Sequence, residues 1–197
     1  MNVLNLVSDA GNSAVLIPLA VLMIIALWYY QSWRAAGTLS VALAVCGAVM
    51  ILLKIALIAC GHAWNSGMVS PSGHASMSTA VYGALGIVAA RQTPRWQQPA
   101  IVMVSWLFIC AIAVSRVSLG AHSYAEVGLG LLVGAAALSL FAVRYFRLPG
   151  APLNLALLAA LPVAILLALH GAHLPVEKLI YKFAFFGRAA TGVCLGG

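Results

Sequence analysis

Six predominantly apolar stretches, at about 13–31, 36–60, 73–90, 98–117, 122–143 and 152–170, limit what this chain can fold into more than any other feature. Each approaches the roughly 20 residues a helix needs to cross the hydrocarbon core of a bilayer. Lipid offers an open backbone no hydrogen-bond partner, so each run reads as helix and not as strand. Breakers fall between the runs, at Gly61, Pro71, Pro94, Pro149 and Gly150, while Pro18 and Pro162 sit inside runs as expected kinks. The expected fold class is all-α: a polytopic membrane protein with six transmembrane helices in one bundle, residues 1–170, followed by a short interfacial tail at 171–197. Composition agrees, since 64% of the 197 residues are hydrophobic and 7% charged, a balance no water-soluble domain of this size needs to bury one core.

The formal charge of +7 comes from ten Lys and Arg scattered in ones and twos between the runs. They form no basic stripe, which excludes a nucleic-acid partner. Their placement sets an orientation instead, because cytoplasmic loops carry the excess of positive charge. Arg34, then Arg91 and Arg95, then Arg144 and Arg147 mark three alternate loops as cytoplasmic. The N-terminus, loop 61–72 and loop 117–121 then face outward. The tail follows them to that side, where Lys178, Lys182 and Arg188 interleave with Leu179, Ile180, Phe183, Phe185 and Phe186 as in a segment lying flat on the membrane surface. No Lys or Arg precedes Arg34, so the basic region of a cleaved signal peptide is missing and the first run is expected to stay. Trp28, Tyr29, Tyr30 and Trp33 fit an interfacial aromatic belt. Cys46, Cys60, Cys110 and Cys194 have neither disulfide-framework nor metal-ligand spacing and read as small core residues.

An ionisable residue within a span is costly and marks function by default. Lys54 lies toward the outer end of run two, His74 opens run three, Arg116 ends run four, and His122 and Glu126 open run five. All five fall at one membrane depth, and short loops force the helices carrying them to pack side by side. These residue types suit a phosphate. Ser72-Gly73-His74 sets a hydroxyl and an unhindered glycine at a helix N-terminus, whose unpaired N–H groups and positive dipole end attract anions. Arg116 supplies a planar fork and Lys54 a mobile point charge. His122 and Glu126, four apart, share a helix face, so the carboxylate can fix one imidazole nitrogen and leave the other to attack. Taken singly, Lys54 reads equally as a snorkelling lysine, either histidine as a helix–helix hydrogen-bonding residue, and Glu126 as an ion-pair partner. Those readings leave the gathering of both signs and two histidines at one end unexplained.

Pro71-Ser72-Gly73-His74, together with Ser115-Arg116, five residues and His122, resembles the second and third motifs of the type 2 phosphatidic acid phosphatase family of integral-membrane lipid phosphatases. The resemblance covers roughly residues 50 to 130. It implies a six-helix core, no cofactor, no metal, and a two-step reaction through a phosphohistidine. On it, His122 is the nucleophile, Glu126 its orienting partner, and His74 the acid that protonates the leaving oxygen and later the base that activates water. Lys54, Ser72, Gly73 and Arg116 hold the phosphoryl oxygens. Two departures stand out. The family's first motif is a lysine, six residues, then arginine and proline, whereas Lys54 is followed at that distance by Gly61 and His62. His62 is either a substitute donor or an ordinary loop histidine. The aspartate usual four residues after the nucleophilic histidine is here Glu126.

The expected partners are the lipid bilayer and a membrane lipid phosphate substrate, polyprenyl diphosphate first, because so little chain lies outside the membrane to recognise a large headgroup. The expected location is a bacterial inner membrane with the site on its outer face. Glycerolipid or lipid A phosphates, transfer of the phosphoryl group to another lipid, a non-catalytic lipid-binding member, and a small transporter or channel are the alternatives.

Overall fold

A computed structural model of the chain describes residues 3–60, 68–169 and 171–172. Among these residues there are seven helices and no strand: α1 (Val3–Ala10), α2 (Ser13–Tyr30), α3 (Trp33–Cys60), α4 (Gly73–Arg91), α5 (Gln98–Ser118), α6 (Tyr124–Tyr145) and α7 (Leu155–Leu169). Helices α2 to α7 coincide with the six apolar runs. Helix α1 has no counterpart there, since its eight residues are far too few to cross a bilayer. His62 lies outside the described residues, as does the tail from residue 173.

Four helices among the described residues are long and apolar enough to cross a membrane: α2, α3 as far as Ile58, α5 and α6. Six spans therefore exceed what length and hydropathy support. Helix α7 is short, and α4 falls below the others for a physical reason. It is the central helix, packed against α2, α3, α5, α6 and α7, so its surroundings are largely protein and not lipid. Ser76, Ser78 and Thr79 on it are fully buried. The Ser76 hydroxyl donates to the Gly73 carbonyl at 3.1 Å and that of Thr79 to the Ala75 carbonyl at 2.7 Å, which offsets much of the penalty of burying these two, whereas the Ser78 hydroxyl has no such partner among the described residues.

Helices α4 and α6 meet through small residues. A side chain on Gly130 would stand 2.5 Å from the Ser72 carbonyl oxygen, and one on Gly134 would collide with the Ser76 carbonyl and stand 2.6 Å from Thr79 Cβ. The two glycines are one helical turn apart, so the backbones touch along a line, the packing that serves where lipid supplies no hydrophobic drive between helices.

The end of the bundle away from Lys54 and His74 is closed by polar contacts. Arg91, expected simply as a loop arginine, is seated on the last turn of α6. It donates to the carbonyls of Tyr145 at 3.0 Å and Leu148 at 2.5 Å, and its guanidinium lies 4.9 Å from the Tyr145 ring centre. A cation is favoured there by the negative end of the helix dipole. Gln31 accepts from the Tyr145 hydroxyl at 2.9 Å and donates to the Ala151 carbonyl at 3.1 Å, tying α2 to the same corner. Trp28, Tyr29, Tyr30 and Trp33 are exposed, as a belt requires. Of the cysteines, Cys46 is buried as expected, but Cys110 is exposed on the outer face of α5 and is no core residue.

Gly134→Val tests the helix contact. The variant should lose about 1–3 kcal/mol or more, as overpacking does, and melt several degrees lower in detergent. Gly128→Ala, on the same helix with open space around it, should melt like the wild type. Equal melting of all three would refute the close α4–α6 contact.

Candidate functional site

The chain brings the ends of α1, α3, α4, α5 and α6 together at one end of the bundle. Ser72 is the N-cap of α4: it is extended, fully buried, and its hydroxyl accepts from the Ala75 amide at 3.4 Å. Gly73 and His74 form the first turn after it. A Cβ on Gly73 would stand 3.9 Å from the Lys54 ammonium nitrogen and 3.7 Å from its Cε, so the buried lysine reaches from α3 to the positive end of α4. A cation beside a helix N-terminus is unfavourable by itself and becomes favourable with an anion between them.

The spacing from Arg116 to His122 follows from how α5 ends. The amides of Ala121 and His122 both close on the Arg116 carbonyl, at 3.0 and 3.3 Å, through Gly120, whose φ of 65° is left-handed. Ser123 then caps α6, accepting from the Glu126 amide at 3.3 Å, while Glu126 accepts back from the Ser123 amide at 3.0 Å. This reciprocal capping box is written in the sequence as Ser123-x-x-Glu126 and is a signal the reading of Glu126 as an orienting residue had not used.

Glu126 is the junction of the site. Its Oε2 lies 3.1 Å from His122 Nδ1 and also takes the Ser123 amide, while its Oε1 accepts from the amides of Val69 at 2.7 Å and Ser70 at 2.8 Å. The Glu126 carbonyl accepts from the Ser72 amide at 3.0 Å. One residue thus caps α6, engages the imidazole and anchors the loop that delivers the α4 N-terminus. The extra methylene relative to aspartate gives the carboxylate reach to both the histidine and the loop.

The Arg116 guanidinium donates from Nη1 to the Ser8 hydroxyl at 2.7 Å. Ser8 belongs to α1 and carried no signal in sequence. Gly11, which follows α1, is so close to His74 that a Cβ there would stand 3.2 Å from the imidazole Cδ2 and 2.7 Å from Ile112. Between α2, α3 and α4 a cavity of about 210 Å³ has apolar walls, including Leu16, Ile17, Met50 and Met77, with Lys54 and His74 at its polar part. Among the described residues no three His, Cys, Asp or Glu side chains converge as a metal site would require.

Residues 53–149, from just before Lys54 to the end of α6, match the PAP2 superfamily. The chain is a member of the PAP2 superfamily. The match contains every candidate residue from Lys54 to Glu126 and none of α1 or α2. It makes the protein a phosphatase-type hydrolase by family, and the apolar helices make it a membrane protein. The chain is also similar to a Klebsiella pneumoniae protein described as an uncharacterized 22.5 kDa protein in the cps region, 29% identical over 190 residues that cover 91% of this chain and 88% of the relative. No solved structure matches it.

Amide exchange tests the Glu126 junction. In Glu126→Gln the side chain keeps its shape but not its charge, and bonds to a charged acceptor are worth about 1.5–3 kcal/mol each. The Val69 and Ser70 amides should then exchange at least about tenfold faster than in the wild type. Unchanged protection at both positions would refute the tie.

Proposed function

We propose that this PAP2 protein is a metal-independent lipid phosphatase that removes a terminal phosphate from a lipid phosphate or diphosphate, polyprenyl diphosphate favoured, through a phosphohistidine. The observation that carries the reading is the convergence at one end of the bundle of the Lys54 ammonium, the α4 N-terminus and the His122–Glu126 pair. Cations and helix amides hold the phosphoryl oxygens and neutralise their charge, which is the main task of a phosphoryl-transfer site. With Nδ1 of His122 donating to Glu126, Nε2 keeps its lone pair. It attacks phosphorus as the bond to the lipid oxygen breaks, and His74 gives that oxygen its proton. Water then attacks the phosphohistidine, passing a proton to the now neutral His74, and the P–N bond breaks to release inorganic phosphate.

The apolar cavity beside Lys54 and His74 supports a lipid substrate, since its walls suit hydrocarbon and its polar part suits a headgroup. Six spans, with α4 and α7 crossing among the others, would put the N-terminus and the site on the outer face of a bacterial inner membrane, with Arg34, Arg91, Arg95, Arg144 and Arg147 inside. On that topology residues 1–170 are the membrane domain and 171–197 a surface tail. Where the first motif should carry an arginine the chain has Gly61, then His62, and this departure favours, as a second reading, a member that binds a phosphorylated lipid without hydrolysing it.

Phosphate release from a panel of polyprenyl, glycerolipid and lipid A phosphates, with purified protein in detergent, separates these readings. The expected result is release from polyprenyl diphosphate above the rest. His122→Ala and His74→Ala should each lose about 10³-fold or more, the scale on which nucleophiles and general acids contribute. Full turnover by either variant would overturn the mechanism. Binding without release by the wild type would favour the second reading, and a phosphorylated lipid acceptor in place of free phosphate would mark a transferase.

A further inference from the structure

The N-terminal segment lies outside the family match, yet it forms two contacts with the candidate site. Ser8 is buried on α1, and its hydroxyl accepts from Arg116 Nη1 at 2.7 Å. Three residues later Gly11 passes against His74, Ile112 and Ser78 with no room for a side chain. The crossing is fixed on both flanks. The Tyr82 hydroxyl of α4 donates to the Ala10 carbonyl at 2.8 Å, and the Asn12 side chain caps α2 by accepting from the Ala14 amide at 3.1 Å. Helix α1 also packs along α5, the helix that ends in Arg116. This segment is therefore attached to the site by defined bonds.

We propose that Ser8 is a positioning residue for phosphate capture: it fixes the Arg116 guanidinium in the orientation that receives the phosphoryl oxygens, from a roof that crosses the site at Gly11. The inference rests on the reading of Arg116 as a phosphate-binding residue. A guanidinium has five N–H donors in a rigid fork, so engaging one from behind sets the direction of the others. An arginine on a long flexible side chain otherwise loses rotamer freedom each time it engages its ligand, and a partner that holds it beforehand removes part of that loss. The need is greater in this chain than in relatives with a complete first motif, because with Gly61 in the arginine's place fewer fixed cations remain and the aim of each counts for more. A neutral hydroxyl suits the role. The hydroxyl orients the guanidinium without itself adding a negative charge that would compete with the substrate.

The test is binding of orthovanadate, a phosphate mimic, to the purified full-length protein, read as ligand-induced thermal stabilisation alongside phosphate release from polyprenyl diphosphate. Ser8→Ala should need about tenfold more vanadate for the same stabilisation, the lower end of what a hydrogen bond to a charged group contributes, and should raise KM with kcat within a few-fold. Ser8→Thr keeps the hydroxyl and should stay within about twofold of the wild type, a difference near the ordinary error of such comparisons. Adding Ser8→Ala to Arg116→Ala should change vanadate binding no further. Equal vanadate binding by Ser8→Ala and the wild type, or an equal loss in the Arg116→Ala background, would overturn the proposal. If Ser8→Ala does not fold, failure of Ser8→Thr to retain vanadate affinity while folded would overturn it as well. The two readings separate: a wild type that binds vanadate but releases no lipid phosphate sinks the hydrolase and leaves the Ser8 comparison standing.

Discussion

Backbone contact between α4 and α6 is the constraint on which the rest of the structure depends. Gly130 and Gly134 let α6 approach the Ser72 and Ser76 carbonyls of α4 directly, at a distance no side chain would permit. In lipid, where apolar helices gain little by leaving one hydrocarbon for another, such contact holds helices through dispersion and close polar packing. It also fixes register. Ser72 is both the N-cap of α4 and the residue facing Gly130, so the contact that joins the helices sets the depth at which Gly73 and His74 meet Glu126.

Glu126 converts that packing into a site. A carboxylate offers about four acceptor positions, and here four donors or near donors use them: the amides of Val69, Ser70 and Ser123, and the His122 ring. Buried charge is tolerated only when so satisfied. The same residue that makes burial of a negative group acceptable also couples a loop, a helix cap and an imidazole. At the far end Arg91 is the counterpart of opposite sign, seated on the α6 carbonyls. The two ends of α6 are thus each closed by a residue whose charge complements the helix dipole.

The bundle was legible because apolar runs of spanning length leave few alternatives, and the helices fall where the runs do. The gathering of Lys54, His74, Arg116, His122 and Glu126 was legible for the same reason, since short loops bring consecutive helix ends together. Helix α4 was harder to grade: hydropathy measures suitability for lipid, and a helix surrounded by protein needs small and hydroxylated residues instead. Ser8 was invisible, because a single serine 108 positions from its arginine has no pattern to betray it. Arg91 was read by charge alone, although its carbonyl partners arise from the path of the chain after Tyr145. Cys110 was misplaced because an apolar run does not say which of its faces looks inward. His62 and the tail lie outside the described residues.

The bonds of Glu126 also bear on how the protein is made. Its partners at Val69 and Ser70 leave the ribosome well before it does, and the carboxylate can gather them only once α6 has entered the membrane beside α4. Until then the loop carrying Val69 and Ser70 has no carboxylate to hold it. The placing of the α4 N-terminus at this end of the bundle therefore waits for α6 to dock on α4.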